Sequence, residues 1–252
     1  MCRAATGARS YAGFVVTWFE RRPQSAEVAR PKGRGVPQPS IKVDISSLTP
    51  ELLHFLGQAA YAELGAFENL ARAVSTAPTV SAKEGLSAAA ARALAKHHGL
   101  SGEIRRRGSE PHIAMAPFVE RLDHYRQQTQ GADWHELLLS CYLTGGLLDD
   151  FFIRLSGGLP REVGARVAHL LGEDSGTGVL VTELQSAIVA DPALGSRLAM
   201  WGRRLVGDTL LVARSAMPKC DQDAAPDSRI EPVFTELIAA HTRRMDDLGL
   251  TA

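Results

Sequence analysis

The sequence predicts an all-α protein: a bundle of four central helices with two additional C-terminal helices. Three observations predict it. Apolar residues recur at three- and four-residue spacings over long stretches, as on one face of a helix. Proline, acid and hydroxyl start signals precede those stretches. No segment shows the two-residue alternation between hairpin turns that marks a sheet.

The first helix is expected near 50–75, opened by Thr49 with Pro50 and Glu51. The second is expected near 81–107, where Ser81 and Glu84 form a capping-box pattern. Asp133 and Glu136 repeat that pattern before a third helix near 133–156. Pro160 opens a fourth near 160–190, and Asp191-Pro192 a fifth near 192–217. Pro232 opens a sixth near 232–248, closed by Gly249. Between the second and third helices, residues 108–132 read as a long connection holding Pro111 and Pro117. Bundles with one long crossover are of the ferritin-like kind.

Charge divides the chain. Its net charge is zero, which gives no field toward nucleic acid or a membrane surface. Residues 1–42 hold eight basic and two acidic side chains, leaving 20 basic and 26 acidic in 43–252, a net of −6. The first segment, rich in Pro, Gly and Arg over 29–40, reads as a disordered basic arm, and 43–252 as the helical domain. The apolar run Tyr11–Phe19 lacks a small-residue cleavage site. Cys2, Cys141 and Cys220 show neither a disulfide framework nor metal-ligand spacing, so a reducing cytoplasm is expected. No apolar run reaches the roughly 18 residues of a membrane helix.

Acids inside apolar faces are the informative positions. Leu52, Leu56, Ala59, Glu63, Phe67 and Leu70 share one helix face, so Glu63 sits within an apolar stripe. A buried carboxylate is costly unless paired, protonated or bound to metal. Glu63 therefore either meets a buried cation or hydroxyl on a neighbouring helix, or serves a metal or ligand. The third helix carries Gly145-Gly146 at its centre, and two interior glycines imply close helix approach or space for a ligand. Asp150 falls on a face with Leu139, Leu143 and Ile153, and either points inward or stands half-exposed against the fifth helix. The string Gly172–Gly178 holds three glycines over 172–178 and is able to break the fourth helix. It matches neither a phosphate loop nor a serine-hydrolase elbow: no Gly-Lys-Ser/Thr follows and no strand precedes.

Several blocks carry a family resemblance over about 50–252. They are Tyr61-Ala62-Glu63-Leu64 with Ala66-Phe67-Glu68, Ala77-Pro78-Thr79, Met115-Ala116-Pro117-Phe118 and Asp133-Trp134. Leu198-Ala199-Met200-Trp201 with Arg203-Arg204-Leu205, and His241-Thr242-Arg243-Arg244-Met245 with Leu248-Gly249-Leu250, complete them. In these blocks the chain resembles actinobacterial ferritin-like proteins similar to the tRNA 2-methylthio-N6-isopentenyladenosine hydroxylase. The resemblance implies a non-haem diiron (iron) centre, with carboxylates from four helices and two carboxylate-x-x-His pairs. Residues three apart share a helix face and so reach one metal.

The chain departs from that pattern. Glu63 stands where the first helix supplies its ligand. The second-helix pair falls on Ala93 and Lys96, the third-helix carboxylate on Gly145, and the fourth-helix pair on Glu173 and Gly176. Glu63 and Glu173 are thus the remnants, with His98 and Asp150 as replacement donors. Lys96 is expected to pair with Glu63, directly or through one other acid such as Glu173. Two readings follow. One is a non-catalytic protein with a largely lost diiron site and no cofactor, acting through binding or assembly. The other is an active hydroxylase with a rearranged iron site. The missing histidines at 96 and 176 favour the first. Transfer RNA enters as a partner by resemblance alone, a homo-oligomer is compatible with the sequence, and the surface groups considered for binding are Trp201 with Arg203 and Arg204, and His241 with Arg243 and Arg244.

Overall fold

The computed structural model describes residues 45–217 and 227–252; the expected arm over 1–42 lies outside them. A 3₁₀ turn at Ile45–Leu48 leads into α1 (Leu52–Ser75) and α2 (Val80–Arg106). Then come α3 (Pro111–Met115), a 3₁₀ turn at Ala116–Phe118, α4 (Val119–Gln128) and α5 (Trp134–Ser156). The chain continues through α6 (Arg161–Leu171), α7 (Gly178–Ala190), α8 (Pro192–Ala216) and α9 (Asp227–Asp247).

α1, α2 and α5 are three staves of the bundle, and α6 with α7 forms the fourth; α8 and α9 pack outside on α5. The expected bundle with two further helices is therefore present. Its details differ in four places. The fourth helix is two helices: α6 stops at Leu171, and in the connection to α7 Gly176 takes φ +67°, a left-handed conformation outside the helix that suits glycine. The long connection is itself helical. There α3 crosses α1 so closely that a Cβ on Gly57 would meet the Ala114 carbonyl oxygen at 2.1 Å. α9 begins at Asp227, so Pro232 lies inside it instead of opening it.

The fourth difference concerns the caps. Thr49 donates to the carbonyls of Ile45 (2.9 Å) and Leu155 (2.8 Å), and the Glu51 carboxylate caps α1 by accepting from Leu53 and His54. Thr79, not Ser81, caps α2. Before α5 the expected cap forms, since Asp133 accepts from the Glu136 N–H at 2.9 Å, but the Glu136 carboxylate reaches one residue past the cap and accepts from the Ala132 N–H at 2.7 Å.

Among the described residues the core has two large apolar clusters and a smaller third around Phe118, Leu122 and Tyr125. Phe55, Leu56, Leu100, Ile104, Phe151 and Leu155 fill one of the large clusters, and Leu86, Leu138, Leu143, Leu184, Leu198 and Met245 fill the other.

Candidate functional site

The stripe on α2 runs Leu86, Ala89, Ala93, Lys96, Leu100 at helical spacing, so Lys96 must point into the bundle. Its side chain is 3% exposed. A buried ammonium needs an anion and hydrogen bonds. It finds both: Nζ donates to Asp149 Oδ2 at 2.7 Å and to Ser175 Oγ at 2.6 Å. Ser175 in turn donates to Asp149 Oδ2 at 3.3 Å. Three elements thus converge: α2, α5 and the loop between α6 and α7.

α1 contributes the fourth group. Glu63 is buried and lies beside Asp149 and Lys96, both of which act on its carboxyl group. Burial first, then the adjacent Asp149 carboxylate, push the Glu63 carboxyl well above the usual range, against the opposing pull of Lys96. That direction favours the carboxylic acid form of Glu63. The centre thus gathers one ammonium, two carboxyl groups and one hydroxyl.

The expected residues distribute unevenly. Glu63 and Lys96 are in the centre, but Asp149 joins them, not Glu173. Glu173 stands at an exposed helix end, 3.9 Å from His169. Asp150 faces the other way and pairs with Arg244 at 2.8 Å. His98 is exposed, and its neighbour His97 is tied by Nδ1 to the Ala60 carbonyl at 2.9 Å, so neither ring reaches the centre. Ala93 and Gly145 line the space beside Lys96. Gly176 offers only backbone, with its N–H donating to Asp174 at 2.9 Å.

Sequence reasoning missed Asp149 and Ser175. Asp149 had a signal, because it lies one turn after Gly145 on the same face. Ser175 had none, since a loop residue has no periodicity.

Several of the candidate surface groups have partners within the chain. Arg204 stacks over Trp201 at 5.2 Å, while the Trp201 indole N–H donates to Ser140. Arg203 holds the Thr251 carbonyl, and His241 is buried.

A cavity of about 60 Å³ opens beside Lys96, walled mainly by Ala62, Ala66, Ala89, Ala93 and Gly145. A second of about 40 Å³ lies across Ala62, Ala66, Gly145 and Leu148, toward α4.

This helical arrangement around a polar centre has a match in sequence. The profile of the family described as "Ferritin-like domain, actinomycetes" matches residues 49–225. The chain belongs to that family. No curated protein matches the chain. Ferritin-like bundles hold diiron centres on carboxylates and histidines from facing helices. The donors of this ferritin-like domain do not fit such a centre. They comprise two carboxyl groups, no imidazole, and an ammonium that donates to one of those carboxyl groups. Among the described residues, no group of three or more His, Cys, Asp or Glu side chains is placed to hold a metal ion. Among those residues, too, no helix is long and apolar enough to cross a membrane.

Proposed function

We propose that this ferritin-like domain is a non-catalytic binding protein whose metal position is taken by its own lysine. The observation that supports it is the Lys96 ammonium, 2.7 Å from Asp149 and 2.6 Å from Ser175 inside the bundle. A fixed positive charge there repels a metal cation. Two unit charges 4 Å apart at an effective dielectric of about 20 interact by about 4 kcal/mol. Metal affinity also follows ligand number and type, and a carboxylic acid and a hydroxyl are poor substitutes for two histidines. The motif blocks shared with the tRNA hydroxylases support descent from that line of enzymes. The chemistry left at the centre supports binding over oxygen activation.

The test is elemental analysis. The chain is expressed in iron-supplemented cells, purified without chelator, and its metal counted. We expect well below one iron per chain. Stoichiometric iron or manganese overturns the reading and returns the active hydroxylase as its successor.

A further inference from the structure

The two cavities beside the Lys96 centre share one wall. Ala62 and Ala66 of α1 face Gly145 and Leu148 of α5, and these four residues border both spaces. Together they form a two-lobed slot between α1 and α5, of about 60 and 40 Å³. Protein interiors are packed like organic crystals and keep few voids larger than a water molecule. A slot at the middle of a bundle therefore calls for a reason.

Gly145 supplies the first part of that reason. Glycine is a poor residue for a helix interior. Interior glycines are usually retained because a neighbour leaves no room for a side chain, as at Gly146, where a Cβ would meet Arg244 Nε at 2.5 Å. A Cβ built on Gly145 meets no neighbouring atom within 4 Å. Packing does not require that glycine. What it provides is open volume on the face it turns to Ala62 and Ala66.

Polar groups supply the second part. Lys96 has three N–H donors, and two are used by Asp149 and Ser175. In the other lobe, Asn69 is buried and its Oδ1 has no hydrogen-bond partner. Buried polar atoms are nearly always satisfied, so an orphan on a cavity wall marks a place where something else bonds. The rest of the wall is mostly apolar.

We propose that this slot binds a small neutral molecule with an apolar body and one hydrogen-bonding group, such as a short alcohol. Neutrality follows from the centre itself. Asp149 already balances Lys96, so a charged ligand would enter without a counter-charge. Size follows from the volume. A cavity of about 150 Å³ that accepts benzene gives about 25 Å³ per heavy atom, so this slot takes about four. The proposal rests on the non-catalytic reading in that Lys96, not a metal, forms the polar end.

The test uses the full chain with ¹³C-labelled alanine methyls, and 1-propanol and xenon as probes. We expect saturable shifts of the Ala62, Ala66 and Ala93 methyls with 1-propanol. Gly145→Leu, which fills the slot, should weaken that binding at least tenfold; should it fail to fold, Gly145→Ala should weaken it about threefold. Xenon binding without 1-propanol binding would mean an empty void only and overturns the proposal. So do equal 1-propanol affinities in wild type and the filled variants. Metal counted on the same sample separates the two ideas. Stoichiometric metal sinks the non-catalytic reading, whereas a metal-free chain without saturable shifts sinks the pocket alone.

Discussion

Lys96 Nζ and Asp149 Oδ2 stand 2.7 Å apart where α2 faces α5, with the ammonium 3% exposed and the carboxylate 16%. Such pairs contribute little net stability, because desolvation offsets attraction, but each partner makes the other tolerable.

Lys96→Met should therefore be strongly destabilising. It leaves Asp149 charged and uncompensated, a loss of about 3–5 kcal/mol. For a domain of this size that lowers Tm by roughly 6–20 °C. Lys96→Met combined with Asp149→Asn should recover part of the loss, since the amide carries no charge to be left uncompensated. Thermal melts of the two single variants and the double variant give the coupling. Simple additivity would show that the two residues do not depend on each other.

Glu63 gives a pH signature of unusual sign for a carboxyl group. Its folded pKa is raised, so the folded state holds a proton that the unfolded chain releases near the ordinary value of about 4.3. The folded state then binds more protons, and stability must fall as pH rises above that value. The contribution is fully present below about 4.3 and is lost as pH climbs through the raised folded pKa. Glu63→Gln has no such proton to release. Chemical denaturation between pH 4 and 8 should show a negative slope in wild type that flattens in the variant. Parallel slopes would place the proton elsewhere.

Much of this was legible in advance. The stripe that placed Glu63 inside the bundle is a plain 3.6-residue pattern, and Lys96 follows from Ala89 and Ala93 in the same way. The intervening acid is Asp149, whereas Glu173 was the example expected because it falls on the family's ligand position; α6 ends at Leu171, and Glu173 stands past that end at the surface. The same connection brings Ser175 inward. Asp149 and Asp150 differ by one residue and point about 100° apart on a helix. One meets Lys96 and the other Arg244. Adjacent acids on a half-buried helix can be told apart only by what faces each, and that is decided by tertiary packing.

A second buried acid behaves in the ordinary way. Glu103 of α2 has a side chain only 3% exposed and is clasped by Arg166 at 2.8 Å and Arg106 at 2.5 Å. Those two guanidinium groups, Arg166 foremost, lower its pKa to about 2. The unfolded chain then binds the extra proton first, so the contribution is present above about 4.3 and is lost as pH falls through about 2. Glu103→Gln should cost about 1–2 kcal/mol at pH 7, within the range for hydrogen bonds to charged groups after discounting the exposed arginines. The gap from wild type should close as the pH approaches 2. An equal gap at pH 7 and pH 2.5 would assign the loss to packing.

Gly145 and Gly146 offer the sharpest contrast, because neighbouring identical residues should respond with opposite sign. Alanine at 145 meets open space, so the substitution removes the helix penalty of glycine and begins to fill the slot. A gain of about 1 kcal/mol is expected. Alanine at 146 meets the Arg244 guanidinium at 2.5–2.8 Å. That group is not free to retreat cheaply. It donates to the Gly146 carbonyl at 3.1 Å and lies 2.8 Å from Asp150, tying α9 to α5. Moving it trades the helix gain for a lost interhelical tie, whose removal costs about 1–3 kcal/mol when a charged group is involved. Gly146→Ala should thus melt no higher than wild type, and Gly145→Ala a few degrees above it. If both variants rise together, Arg244 is a loose surface group. If both fall, α1 and α5 approach more closely in solution than the slot allows, and Gly145 is there for packing after all.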